Sequence, residues 1–77
     1  MRFCFTRSSR RHKIGRAHAE AALASAGDPF FDDRGDLNWL GSDDRGLELH
    51  IVGFIAAEDP NLVVIKHVFP LALKEKP

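Results

Sequence analysis

The chain contains no tyrosine, one cysteine and one tryptophan. No apolar run approaches the ~18 residues that a membrane span needs. The lone Cys4 excludes an internal disulfide, and no Cys/His set has the spacing of a structural zinc site. Neither a glycine-rich phosphate loop nor a G-x-S-x-G nucleophile turn is present. With 77 residues, one domain over 1–77 is expected, near the lower size limit for a single hydrophobic core. Stability then has to come from packing, from an oligomer or from a partner. Met1 to Thr6 holds only a short apolar cluster before a basic stretch, which does not match a signal peptide. The expectation is a soluble protein of the reducing cytoplasm.

What is present is a marked asymmetry behind a formal net charge of zero. Arg2, Arg7, Arg10, Arg11, Lys13 and Arg16 all precede the first acidic residue, Glu20. Ten acidic residues then run from Glu20 to Asp59 against only Arg34 and Arg45. A neutral total argues against indiscriminate coating of nucleic acid, while a local basic cluster still suits phosphates. A solvated helix surface is the competing reading of the same cluster.

Two apolar runs near the C-terminus organise the rest. Leu47–Ile55 and Leu62–Phe69 are rich in β-branched and aromatic residues, and Ala57-Glu58-Asp59-Pro60-Asn61 between them carries turn residues. They read as a long antiparallel hairpin. Upstream, Arg2–Thr6 alternates as a first strand, with Thr6, Ser8 and Ser9 as possible caps for a short helix through His12. After a turn at Lys13-Ile14-Gly15, a second helix is expected from Arg16 to Ala26. Its buried stripe is Ala19, Ala22, Leu23 and Ala26, and Gly27 is placed for a left-handed C-terminal cap. Phe30-Phe31-Asp32 reads either as a very short strand or as an aromatic plug over the helix end. Leu37–Gly41 is a strand between polar turns at 32–36 and 42–46, with Trp39 assigned to the core. No internal repeat stands out. The expected fold is α+β: an N-terminal strand, with one or two helices on one face of a small antiparallel sheet of three to four strands. The other face stays partly open.

Four histidines are the main chemical resource. His12 lies in Arg10-Arg11-His12-Lys13, where neighbouring positive charge favours its neutral form. His18 is expected at the exposed edge of the second helix. His50 and His67 sit inside apolar strands, where an imidazole is costly unless satisfied. If the hairpin pairs His50 with His67, Glu48 shares their face; shifted by one residue, Lys66 takes that face and His67 the opposite one. The alternative is that both are polar positions on a solvated face. A metal site at His50, His67 and Glu48 is set aside for want of a helical H-x-x-x-H or a cysteine pair, and no cofactor is expected.

Ser8-Ser9-Arg10-Arg11-His12-Lys13-Ile14-Gly15-Arg16-Ala17-His18, followed by an Ala/Leu helix ending near a proline, resembles the opening of small bacterial toxins. The likeness is to the BrnT-like group of the RelE/ParE-like superfamily. The later segments Trp39-Leu40-Gly41, Asp44-Arg45-Gly46-Leu47-Glu48-Leu49 and Val63-Val64-Ile65 are also similar to that pattern. The resemblance implies the toxin of a type II toxin–antitoxin pair, a metal-independent ribonuclease that cleaves mRNA through its 2′-hydroxyl. The implied partners are a cognate antitoxin and RNA, with DNA met only through the antitoxin complex and no membrane. Arg10, Arg11, Lys13 and Arg16 would hold phosphate, with Lys66 as a further substrate contact. His12 is the first acid or base, and His50 or His67 the second. The chain departs from several such toxins in having no tyrosine and no net positive charge. Two other classes stay open: a non-catalytic protein-binding module, and a nucleic-acid-contacting subunit of a repressor complex.

Overall fold

The computed structural model describes residues 2–7, 9 and 14–71. Its elements are β1 (Arg2–Phe5), α1 (Arg16–Ser25), β2 (Phe30–Phe31), β3 (Leu37–Ser42), β4 (Glu48–Ala56) and β5 (Asp59–Pro70). The fold is α+β, with one helix and a five-stranded sheet in the order β1-β5-β4-β3-β2. It departs from the expected sheet in two ways. It has five strands rather than three to four, with Phe30–Phe31 taking the short-strand alternative at one edge, and β1 adds to the far edge parallel to β5, which makes the sheet mixed rather than antiparallel. The parallel pairing sets Phe3 beside Val63 and Phe5 beside Ile65, extending one apolar surface across the sheet. Among the described residues no helix is long and apolar enough to cross a membrane. The expected short helix through His12 falls mostly outside the described residues.

Strand alternation sends Trp39, Leu49, Ile51, Val63, Ile65 and Val68 to one face, where Ala19 and Ala22 of α1 cover them. The alanines let helix and sheet approach closely, and Gly41 completes the fit. A Cβ at Gly41 would stand 2.2 Å from the Ala22 carbonyl oxygen. Trp39 is buried and meets Phe3 edge to face, with ring centroids 6.3 Å apart. The helix end is held differently from expectation. Gly27 is not in the left-handed region, and Ala26, in extended conformation, donates its N–H to the Ala22 carbonyl. Ser25 Oγ then donates to the Ser42 carbonyl at 2.7 Å and accepts from the Ser42 N–H at 3.0 Å, tying α1 to the end of β3.

Around His50 the β4–β5 register is neither of the two considered. His50 faces Phe69 and Val52 faces His67, and a bulge between Val52 and Gly53 then shifts the pairing. His50 and His67 are therefore diagonal neighbours on one face, and in an antiparallel pair such positions lie roughly 7–8 Å apart. The bulge falls at Lys66, so both Lys66 and His67 reach the open side of the sheet. The hairpin turn is only Ala57-Glu58, and Asp59-Pro60-Asn61 belongs to β5. Pro60 is tolerated because the described β1 pairing begins at Leu62, leaving no neighbour among the described residues to need its missing N–H.

The two polar turns are copies of each other, a repeat not evident from the expected elements. Asp32-Asp33-Arg34-Gly35 and Asp43-Asp44-Arg45-Gly46 each place glycine at positive φ, +83° and +82°. In each, the first aspartate Oδ1 accepts the N–H groups two and four residues on. Only glycine enters that left-handed position without strain.

Candidate functional site

The face away from α1 holds a concavity of about 420 Å³. Asn38, His50 and Val52 form its floor, Phe30 and Phe69 flank it, and Asp32, Arg34, Asp36, Lys66 and His67 complete its lining. Asn38 and His50 are there because alternation turns them away from the buried Leu37, Trp39, Leu49 and Ile51. Both are themselves buried.

A hydrogen-bonded chain crosses this floor. The Asn38 side-chain amide donates to Asp32 Oδ2 and to the Asp36 carbonyl, each at 3.1 Å. With both amide hydrogens engaged, Asn38 Oδ1 faces His50 Nε2 at 2.7 Å, so Nε2 carries the proton and donates. Asp32 thus fixes Asn38, and Asn38 fixes the tautomer and plane of His50. Phe69 packs against the same imidazole, with centroids 4.9 Å apart. The Asn38 amide, joined by the Asp36 and Arg34 N–H groups and the Arg34 charge, holds the Asp32 carboxyl below its ordinary range. Lys66 Nζ donates to Asp36 Oδ2 at 2.8 Å, so these two charges face each other.

Of the residues singled out from sequence, His50, Lys66 and His67 come together here. Arg16 does not: it sits on α1 across the sheet, 3.7 Å from Glu20 and over the Phe5 ring. Arg10, Arg11, His12 and Lys13 lie outside the described residues. Glu48 pairs with Ser42 beyond the concavity. Sequence reasoning missed Asp32, Arg34, Asp36 and Asn38. Asn38 carried a usable signal, because a short amide inside Leu37-Asn38-Trp39-Leu40 has to be satisfied somewhere.

On the other side of the sheet His18, Asp43 and Asp44 gather their polar atoms within 4.8 Å of one another. These groups already have partners. His18 Nδ1 pairs with Asp44 Oδ1, while Asp43 holds the Arg45 and Leu47 N–H groups and the Arg45 guanidinium. The cluster docks α1 against the second turn. Comparison of the chain with protein-family models, with curated proteins and with solved structures gives no match.

Proposed function

We propose that this chain is a metal-independent ribonuclease domain, the toxin of a toxin–antitoxin pair, and that RNA is cleaved in the open-face concavity. The observation that carries the reading is the pair of imidazoles on one concave face, with His50 oriented by the Asp32–Asn38 chain. Cleavage through the 2′-hydroxyl needs a base and an acid on opposite sides of the phosphorus, and no metal. One histidine removes the 2′-hydroxyl proton as that oxygen bonds to phosphorus. The other gives a proton to the departing 5′-oxygen, leaving a 2′,3′-cyclic phosphate and a free 5′-hydroxyl. Lys66 and Arg34 supply positive charge to the non-bridging oxygens, and Phe30 and Phe69 offer rings for base stacking. In this reading Arg10, Arg11, His12 and Lys13 of the basic segment, together with Arg16, contact the RNA strand. The cognate antitoxin blocks the domain, which meets DNA only within that complex.

The test is induced expression with growth and RNA integrity followed together, comparing wild type with His50→Ala, His67→Ala and His12→Ala. Arrest and RNA cleavage lost on changing His50 or His67 support the reading. Loss only with His12→Ala moves the chemistry to the basic segment. A harmless wild type with intact RNA overturns the nuclease. The second reading, a protein-binding module, then stands on edge strand β2, where Phe31 is 68% exposed.

A further inference from the structure

The twin turns share sequence and backbone bonding but differ in where their arginines point. In the second turn Asp43 Oδ2 accepts from Arg45 Nε at 3.0 Å and Nη2 at 2.7 Å, closing the guanidinium onto its own turn. In the first turn Asp32 Oδ2 is taken by Asn38 instead. Among the described residues the Arg34 guanidinium has no carboxylate partner in an ion pair, and Arg34 lines the concavity.

The cause is topological. Successive hairpins of a meander are related by a half-turn about an axis in the sheet plane, so equal turns present equal residues to opposite faces. The residue six after the first aspartate is Asn38 on the open face in one turn and Leu49 in the core in the other. Only the first turn therefore has an amide on the outer aspartate oxygen, and only there does the arginine make no ion pair with its own turn. Of the other charges there, Lys66 has Asp36 as its ion-pair partner, and Asp32 is held by Asn38 and two backbone N–H groups, with the Arg34 charge acting on it without an ion pair.

We infer that Arg34 is the anion-binding arm of the concavity, taking a phosphate group through its guanidinium fork, and that Asn38 is the positioning residue that keeps it off Asp32. The inference rests on the reading of this concavity as a site for RNA phosphate, and names the residue that grips it.

Amide NMR of the full chain, titrated first with inorganic phosphate and then with a short RNA strand, tests it. Saturable shifts are expected around Arg34 and His67. Arg34→Ala should weaken phosphate binding by about tenfold or more, the loss of a charge-assisted pair. Arg34→Lys should restore part of it. Asn38→Ala should weaken it with Arg34 still present, because Asp32 then recaptures the guanidinium. Arg45→Ala, the same change in the twin turn, should leave it unaltered and controls for turn damage. Unchanged phosphate affinity in a folded Arg34→Ala protein, or no saturable shifts in wild type, overturns the inference. Arg34-dependent phosphate binding with RNA left uncut supports it while overturning the nuclease. RNA cleavage that ignores Arg34→Ala does the reverse.

Discussion

Asn38 stands between Asp32 and His50 and speaks to each with a different atom, its nitrogen to the carboxylate and its oxygen to the imidazole. No other side chain of that size offers both a double donor and an acceptor. Leucine at this position would leave Asp32 Oδ2 and the His50 Nε2–H without those bonds. Asn38→Leu is expected to cost about 1–3 kcal/mol in chemical denaturation, since it strands the buried His50 Nε2–H even where Arg34 takes over Asp32. The outcome against this view is a variant as stable as wild type with an unchanged His50 ring signal.

Gly41 lies against the Ala22 carbonyl with no room for a methyl group. Because the obstacle is backbone, no side chain can swing aside, and α1 has to lift. Gly41→Val should destabilise by about 1–3 kcal/mol, the usual range for overpacking. Gly27 is the matched control, since a Cβ there meets nothing within 4 Å. Gly27→Ala should be neutral or raise stability by about 0.4–1 kcal/mol through the unfolded chain. Thermal melts of both variants check the pair.

Ser25 joins the last turn of α1 to Ser42 through two hydrogen bonds. Ser25→Ala should reduce stability by roughly 1 kcal/mol and speed hydrogen exchange at the Ser42 amide. Exchange at Ile51, buried in the centre of β4, should follow only the global change. Equal acceleration at both amides would mean that the bonds are not a local clasp.

Acid should unfold the chain in a defined direction. The Asn38 amide lowers Asp32, and the His18 ring lowers Asp44. Burial pushes Asp43 up, but the Arg45 guanidinium and the Arg45 and Leu47 N–H groups outweigh it, so Asp43 too is lowered from 3.8. A depressed native value contributes stability above the unfolded value near 3.8, and that stability is lost as pH falls through the native value. The melting temperature should hold steady down to about pH 4 and drop below it. Asp43→Asn should be less stable at neutral pH, with the gap to wild type closing as pH falls. A gap that stays constant across that range would sink this account.

The long hairpin was legible because Leu47–Ile55 and Leu62–Phe69 bury one face each, and burial of alternate residues is written in the sequence. The Ala19/Ala22 stripe and the core position of Trp39 were legible for the same reason. The mixed sheet was not, because Arg2–Phe5 has the same alternation whether it pairs parallel or antiparallel, and its choice of β5 depends on residues some sixty positions away. The register was not, because a bulge at Lys66 moves every pairing beyond it by one residue without leaving a mark in composition.

By itself, then, the sequence determined which side chains face inward, where the helix lies, and that His50 and His67 interrupt apolar strands, since these follow from local periodicity and the cost of burying polar atoms. The tertiary structure alone decided that Asp-Asp-Arg-Gly docks a helix on one face and sets its arginine in the lining of a concavity on the other. Identical turns at opposite ends of a meander look out on opposite sides of the sheet, and only the surroundings of each turn settle which partner its aspartate takes.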